Sequence, residues 1–354
     1  MKFDFCIGNP PYQDETLGDN KGFAPPVYNK FMDAACDIAE KVELIHPARF
    51  LFNAGSTPKA WNEKMLNDPH FKVLEYEEDC TQVFSNTDIK GGVAITYHDF
   101  NSDFGAIGTF TPNDILNAVL KKVKSHPDYS SFSEVVITRT AYRLTDKMHE
   151  DYPDARYKEN DKGENIGCLS KGHDYDMSTN IMDRLPQIFY DEKPRDGFDY
   201  IRILGRVNNE RGFKWVRREY VNSPVNLDKY KIFLPKANGV GTLGEVLSMP
   251  IICEPAIGAT ETFLSIGFFD DRGEVEAALK YIKTKFARAM LGILKTTQDL
   301  TPDKWRYVPL QDFTPQSDID WSKSIPEIDR QLYKKYGLSK EEIDFIETNV
   351  KEME

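Results

Sequence analysis

The sequence predicts an α/β fold, in which an alternating strand–helix region is followed by an α+β region and a helical tail. Two observations lead to this prediction. Over the first hundred residues, apolar runs of strand length alternate with amphipathic segments, and near residue 110 this alternation stops. Such alternation favours an α/β sheet with right-handed crossovers. We therefore expect three regions, at 1–110, 125–312 and 313–354.

The individual elements of the first region follow from the spacing of apolar residues. Phe3–Gly8 carries apolar side chains on both faces, which is typical of a strand covered on both sides in the middle of a sheet. Further strands are expected at 42–46, 71–76 and 91–97. Helices are expected at 26–40 and around Trp61, Met65 and Leu66.

Helical signals return late in the chain. A long amphipathic helix is expected at 273–295, with one apolar stripe formed by Val275, Leu279, Ile282, Phe286, Met290 and Ile293. Its basic residues lie off this stripe and indicate a solvated face; they are Lys280, Lys283, Lys285 and Arg288. In the tail, Pro326 and Gly337 mark the start and end of one helix, and Ser339 with Glu342 forms a capping box for the next.

Composition excludes several classes of protein. No apolar run approaches the ~20 residues of a membrane helix, and the N-terminus does not resemble a signal peptide. The 5 cysteines are widely spaced with no CxxC pair, which favours free thiols in a reducing cytoplasm. The 6 histidines show no ligand spacing, so no metal is expected.

The net charge of -12 argues against a protein that coats DNA non-specifically, because phosphate contacts need Lys and Arg. A local basic face on an acidic body remains compatible with DNA binding. The densest basic stretch holds aromatic residues between its cations: Arg202, Arg206, Arg211, Phe213, Lys214, Trp215, Arg217 and Arg218. Arg139 and Arg143 form a second candidate. A solvated charged hairpin is the alternative interpretation.

The tetrapeptide Asn9–Tyr12 follows directly on the first strand, where open α/β sheets bind ligands. Its residues suit a planar ring with an exocyclic amine. The Asn9 side chain and the Pro10 carbonyl can each accept a hydrogen bond from the amine, Pro11 stiffens the loop, and Tyr12 can stack on the ring. Two acceptors would direct the nitrogen lone pair toward an incoming group. A proline-rich turn that caps a strand is the alternative.

Ile7–Tyr12 resembles the catalytic motif of S-adenosylmethionine-dependent adenine-N6 DNA methyltransferases of type II restriction-modification systems. Ile45–Phe50 resembles the next strand and turn of that family, and 328–338 resembles the family's C-terminal tail. Val83–Val93 resembles the segment whose aromatic closes the base pocket, which implies Phe84 for that role. The resemblance implies a partial Rossmann-like methyltransferase sheet at 1–110, a target-recognition domain at 125–312, and Asn9, Pro10, Pro11 and Tyr12 as catalytic residues.

This resemblance also implies a donor-binding half that precedes the catalytic motif, whereas only eight residues precede Asn9. We therefore expect an incomplete S-adenosylmethionine site, with the cofactor-binding residues unknown. Gly239–Gly244 fits G-x-G-x-x-G, but its surroundings favour a turn in the recognition domain. The expected partners are double-stranded DNA and either a separate donor-binding chain or a second copy of this chain.

The function expected from the sequence is adenine-N6 methylation of DNA, with the target base flipped into the Asn9–Tyr12 pocket. Two alternatives stay open. One is a catalytically incomplete fragment that binds DNA or a partner protein. The other is a protein-glutamine methyltransferase, which uses the same tetrapeptide; the long segment after the sheet argues against it.

Overall fold

The structure is a computed structural model of the chain, and the residues that it describes are 3–14, 24–53, 55–85, 89, 91–111, 113–295 and 297–353. The chain divides into two compact units, residues 1–117 and 118–354. The second unit includes both the expected 125–312 region and the expected tail, so the tail is not a separate body.

The first unit has the strands and helices that the apolar spacing predicts. They are β1 (Phe3–Gly8), α1 (Tyr28–Ile38), β2 (Ala39–Pro47), α2 (Lys59–Asn67), β3 (Phe71–Glu77) and β4 (Val93–Asp99). The helix α3 (Asp114–Lys124) contains the boundary between the two units. The core of the first unit forms where α1 and α2 pack on the sheet, around Phe50, Trp61 and Phe71.

The sheet of the first unit has the order β1-β2-β4-β3. β1 and β2 are parallel, whereas β4 is antiparallel to both β2 and β3. The expectation of right-handed crossovers throughout is therefore wrong for β4. The physical reason lies in the 78–92 connection, whose described residues form a 3-10 turn at Cys80–Gln82 and no α-helix. Parallel neighbours are usually joined by a helical crossover, and antiparallel ones need none.

The predicted burial of β1 is also corrected. β1 pairs with β2 on one side and lies at the edge of the sheet formed by the described strands. Its alternate side chains Phe3, Phe5 and Ile7 are 65%, 60% and 73% exposed. The apolar pattern was typical of a central strand, but pattern alone does not show which neighbours are present.

The second unit contains the remaining elements. Its strands are β5 (Val136–Ile137), β6 (Arg143–Leu144), β7 (Tyr200–Val207), β8 (Glu210–Arg217), β9 (Val221–Asn222), β10 (Tyr230–Pro235), β11 (Ile251–Cys253), β12 (Ile257–Ala259) and β13 (Phe263–Phe269). Its helices are α4 (Asp146–Asp151), α5 (Ile181–Arg184), α6 (Arg272–Lys283), α7 (Lys285–Gly292), α8 (Ile325–Lys335) and α9 (Lys340–Asn349).

Two hydrophobic cores stabilise this unit. One joins β10 and β13 to α6, α7, α8 and α9, which explains why the tail belongs to it. The other lies under the β7–β8 hairpin and the short elements of 142–189. Both tail helices begin at capping boxes, Ser324 with Glu327 and Ser339 with Glu342, and the second of these was expected from the sequence.

The single helix expected at 273–295 is two helices, α6 and α7, which meet at Thr284. Thr284 has an extended backbone, and its hydroxyl accepts a hydrogen bond from Ala287 N at 3.1 Å. The carboxylate of Asp329, on α8, accepts from Lys285 N at 3.0 Å and from Phe286 N at 2.8 Å. These three bonds satisfy backbone donors that a new helix leaves unpaired. The apolar stripe continues across the break because both helices pack on the same core.

The solvated face expected for the lysines and arginine of this segment is wrong for at least three of them. Arg288 is 2% exposed and donates to the carbonyls of Gly244 and Lys351. Lys280 donates to the carbonyl of Trp321 at 2.8 Å, and Lys285 pairs with Glu347 at 2.6 Å. The tail folds back over this face and replaces water as the partner of these cations.

The Asp329 carboxyl generates a prediction about pH. Its burial raises its pKa from 3.8 to about 6. The folded state therefore holds a proton that the unfolded state releases, and stability falls as pH rises from about 4 to about 6. In Asp329→Asn this dependence disappears. Urea unfolding across this range should show the variant gaining roughly 3 kcal/mol relative to the parent. Asp161→Asn, at an exposed loop position, is the control, and parallel profiles for Asp329→Asn and the parent would contradict the assignment.

Candidate functional site

The candidate pocket lies at the carboxyl ends of strands in the first unit. β1, β2 and β3 run in the same direction, since β1 is parallel to β2 and both β2 and β3 are antiparallel to β4. Asn9–Tyr12 follows β1, and Phe84 lies in the connection that leaves β3. These residues line one cavity of about 440 Å³, formed by Asn9, Pro10, Pro11, Tyr12 and Phe84. The structure thus brings together the five residues that the sequence predicted for the pocket.

Local hydrogen bonds hold both sides of this pocket. The carbonyl of Tyr12 accepts from Val27 N at 3.1 Å, which ties the tetrapeptide to the start of α1. On the other side, Phe84 N donates to the carbonyl of Cys80 at 2.8 Å. The turn before Phe84 is capped by Asp79, which accepts from Thr81 N at 3.1 Å. The backbone that carries each of the two aromatic side chains, Tyr12 and Phe84, is therefore held in place by hydrogen bonds.

The two rings of the pocket contact each other. The ring centroids of Tyr12 and Phe84 are 6.4 Å apart and the ring planes meet at 69°. A planar ring between two parallel aromatic rings needs about 7 Å, twice the optimal carbon–carbon contact distance. One aromatic side chain must therefore turn before both can stack on a ligand ring.

The Tyr12 hydroxyl is a buried polar group beside Asn9. Burial raises the pKa of Tyr12, and the side chain of Asn9 opposes part of this shift. Within the described chain, that hydroxyl has no hydrogen-bond partner of ordinary geometry, so the Asn9 amide lies near it without forming a regular bond. Asn9 itself is exposed. The pocket thus offers a ligand one accessible amide next to an aromatic wall.

The predicted basic stretch forms the β7–β8 hairpin. Its turn is Asn208-Asn209, with φ of 49° and 68°, values that Asn tolerates better than most residues. Cross-strand partners share a face, and one face carries the pairs Arg202–Trp215, Leu204–Phe213 and Arg206–Arg211, together with Arg217 opposite Tyr200. The other face packs into the core through residues such as Ile201 and Val216. The structure therefore places Arg202, Arg206, Arg211, Phe213, Trp215 and Arg217 of the predicted stretch on one face of this hairpin.

Several of the predicted DNA-contact cations are neutralised within the chain. Arg217 lies 3.6 Å from Glu219 and 3.7 Å from Asp196, and Arg218 pairs with Asp228. Lys214 lies on the core-facing side of the hairpin and pairs with Asp191 at 2.5 Å. Arg143 pairs with Asp176 at 3.2 Å. These four residues have carboxylate partners that an incoming phosphate would have to displace.

Other predicted cations form no ion pair with any described carboxylate. The guanidinium of Arg202 lies 4.4 Å from the ring centre of Phe213 and 5.8 Å from that of Trp215. Arg206 donates to the carbonyl of Asn209 at 2.6 Å, and Arg211 to that of Met249 at 3.0 Å. Arg139 is exposed on the turn after β5. These arginines keep their full charge for a ligand.

Sequence analysis missed one feature next to this face, the loop 238–250. In this loop, the backbone carbonyl of Met249 accepts a hydrogen bond from the Arg211 side chain, and the backbone of Met249 has a φ of 35°. No spacing in the sequence indicates that this loop reaches the hairpin, because the contact joins residues far apart in the chain.

The same loop contains the Gly239–Gly244 turn, which fits poorly as a donor site. The structure places β10 before it, yet no helix follows in the described residues up to β11. The N–H groups of Val240 and Gly241, which such a turn would offer to a ligand, point at the Glu245 carboxylate at 3.0 and 3.3 Å. A Cβ on Gly239 would lie 1.8 Å from that carboxylate, so the glycine serves the Glu245 contact.

The part of the chain that the structure describes has no group of three or more His, Cys, Asp or Glu side chains that could hold a metal ion. Among the same residues, no helix is both long and apolar enough to cross a membrane.

One curated relative matches about a quarter of the chain. An uncharacterized adenine-specific methylase from Mycoplasma pneumoniae is 30% identical over 95 residues, which cover 26% of this chain and 22% of that protein. The chain thus spans about a fifth of the length of the curated relative that it matches.

Two solved structures match over 98% of this chain, but with low similarity. The type IIG restriction endonuclease BpuSI has a TM-score of 0.30 at 12% identity and is covered over 54% of its length. The type IIL restriction-modification enzyme MmeI, solved in complex with DNA, has a TM-score of 0.37 at 8% identity and is covered over 56%.

The family match falls on the candidate pocket. The family described as Eco57I restriction-modification methylase matches residues 1–84, the segment that begins with β1 and ends at Phe84. The resemblance to adenine-specific methylases of restriction-modification systems is therefore confirmed, and residues 1–84 are the part of the chain that carries the match to the Eco57I restriction-modification methylase family.

Proposed function

We propose that this chain provides the adenine-binding pocket and the DNA-recognition region of an S-adenosylmethionine-dependent adenine-N6 DNA methyltransferase in a restriction-modification system. The observation that carries the proposal is the convergence of Asn9–Tyr12 and Phe84 on one cavity of about 440 Å³. The residues come from two connections separated in sequence, and the family match spans both of them.

In the proposed reaction, the flipped adenine enters this cavity with its ring between Tyr12 and Phe84. The Asn9 side-chain oxygen and the Pro10 carbonyl each accept a hydrogen bond from the exocyclic amine. With both amine hydrogens held in this way, the nitrogen lone pair points out of the ring plane toward the methyl donor. Pro11 stiffens the loop, so the acceptors are in position before the base arrives.

The first functional prediction concerns Asn9. Asn9→Ala removes one acceptor for the amine and no phosphate contact, so methylation should fall by at least about 100-fold while DNA affinity changes little. The measurement is N6-methyladenine, by mass spectrometry, in DNA from cells that express the complete polypeptide. Asn113→Ala, an asparagine outside the pocket, is the matched control. Parental levels of methylated adenine in Asn9→Ala would show that this residue does not orient the amine.

The methyl donor is the second part of the proposal. Bound S-adenosylmethionine supplies an electrophilic methyl group on a sulfonium. The Gly239–Gly244 turn does not fit a site for it, because no helix follows it in the described residues up to β11 and the N–H groups of Val240 and Gly241 face Glu245. The side chains of Phe3, Phe5 and Ile7 expose apolar surface at the edge strand β1, and an unpaired strand edge readily pairs with another segment. We propose that a donor-binding segment or a second copy of the chain covers this edge.

This proposal predicts the behaviour of the isolated chain. Titration with S-adenosylmethionine in a calorimeter should show no binding in the micromolar range. Light scattering should show a species larger than the 40.6 kDa monomer, and Phe5→Asp should reduce that association because it places a charge at the apolar edge. Phe104→Asp, which charges another exposed phenylalanine of the same unit, is the control. Micromolar donor binding, or a monomer whose Phe3–Gly8 amides resist hydrogen exchange, would contradict it.

DNA recognition is the third part of the proposal. In a chain with a net charge of -12, Arg202, Arg206 and Arg211 have no carboxylate partner among the described residues, and they share one face of a hairpin with Phe213 and Trp215. This combination suits a polyanion that also presents planar bases. It favours DNA over a protein glutamine as the substrate, because a glutamine side chain carries no charge for these arginines to bind.

One experiment can compare the arginines that form ion pairs within the chain with those that form none among the described residues. Arg206→Ala with Arg211→Ala should lower the slope of log affinity against log salt concentration by about 1.8, the loss of two phosphate contacts. Arg217→Ala with Arg218→Ala should change it less, because carboxylates already neutralise both residues. Fluorescence anisotropy with a labelled duplex, over a range of salt concentrations, measures both slopes. Equal slopes in the parent and the Arg206/Arg211 variant would place DNA elsewhere.

A further inference from the structure

The loop 238–250, here called the pinned loop, is tied to the second unit by buried polar groups. Lys295 is 2% exposed, pairs with the Glu245 carboxylate, and donates to the carbonyl of Asn238 at 2.8 Å. Asn238, also 2% exposed, donates through its side-chain amide to the carbonyl of Val246 at 2.9 Å. Arg288 donates to the carbonyl of Gly244 at 3.1 Å. The base of the loop is thus held from several directions.

In contrast, the pinned loop presents apolar side chains to solvent. Val240 is 79% exposed and Met249 is 71% exposed. Met249 also has a φ of 35°, a left-handed conformation that costs a non-glycine residue about 1–3 kcal/mol and persists only where the surroundings impose it. The protein therefore maintains an exposed thioether side chain on a strained backbone, which solubility and stability alone would disfavour.

The surroundings of Met249 are cationic. Its carbonyl accepts from Arg211 Nη1 at 3.0 Å. Arg211 faces Arg206 across the β7–β8 hairpin, and neither cation forms an ion pair with a described carboxylate. Like charges directly opposite each other destabilise a pair of strands. An anion bound between the two arginines would remove this repulsion, and one of them is bonded to the backbone of Met249, whose side chain is exposed.

We propose that Met249 is a wedge that inserts into the base stack of duplex DNA whose phosphates are bound by Arg206 and Arg211. The inference rests on the proposed DNA recognition and extends it to a defined mode of DNA distortion. Apolar side chains inserted between base pairs unstack them and kink the duplex, and adjacent cations hold the backbone that bends. The pinned loop keeps the wedge in position, so little conformational entropy is lost on insertion.

Insertion unwinds DNA, and this provides a test that needs no knowledge of the recognition sequence. A closed circular plasmid is relaxed by a topoisomerase in the presence of the full chain, and the linking number is read by gel electrophoresis after the protein is removed. The parent should shift the topoisomer distribution. Met249→Asn should reduce the shift at least about threefold at equal occupancy, because Asn tolerates the same backbone but cannot stack as an apolar wedge.

Two further variants separate the wedge from general effects. Met249→Leu restores an apolar side chain and should retain the shift. Val225→Ala removes an aliphatic side chain that is 84% exposed on a different loop, and should leave the shift unchanged. An unchanged shift in Met249→Asn, or a parent that binds the plasmid without shifting it, would overturn the wedge while DNA binding stands. A parent that does not bind the plasmid at all would overturn both the wedge and the proposed DNA recognition.

Discussion

The parallel pairing of β1 with β2 is the constraint on which the candidate pocket depends. The last residue pair of these two strands joins Gly8 to Leu44, so Asn9 leaves the sheet on the side where the carboxyl ends of β2 and β3 also lie. Phe84 lies on the same side because β3 runs in the same direction as β1, while antiparallel β4 lies between β2 and β3. If β1 were antiparallel to β2, the tetrapeptide and the aromatic would lie at opposite ends of the sheet. Strand direction, more than any single side chain, therefore assembles the pocket.

Charge pairing shapes the second unit in a comparable way. The chain has 57 acidic and 45 basic residues, so most cations can find a carboxylate nearby. The exceptions are informative for that reason. Arg217 and Arg218 have carboxylate neighbours, whereas Arg206 and Arg211 donate to backbone carbonyls and form no ion pair with a described carboxylate. Exposed ion pairs contribute little to stability, yet they decide which positive charges remain for a polyanion. A count of basic residues does not distinguish these two kinds of arginine.

The sequence predicted the features of the structure that depend on residues close together in the chain. The strands and helices of the first unit, the capping box at Ser339 and the pairing of Phe84 with Asn9–Tyr12 all follow from short segments or from a family motif. The break between α6 and α7 did not, because it depends on Asp329, which binds the start of α7 from a helix more than 40 residues away. The exposed edge of β1 and the pairing of Arg217 with Asp196 escaped prediction for the same reason. Each depends on contacts between segments that are distant in the chain.

The buried pair of Glu245 and Lys295 links the glycine-rich turn to the exposed Met249, a link that no sequence pattern predicts. The Glu245 carboxylate accepts from the N–H groups of Val240 and Gly241, so these two groups are not available to a phosphate or a nucleoside. The same carboxylate, neutralised by Lys295, holds the loop that presents Met249. Removing one partner of a buried ion pair leaves an uncompensated buried charge, so substitution of either Glu245 or Lys295 would destabilise the protein. The glycines of this turn thus allow the contacts with Glu245 that hold the loop in place. A loop held in this way can keep the exposed Met249, bonded to Arg211, in its strained backbone conformation.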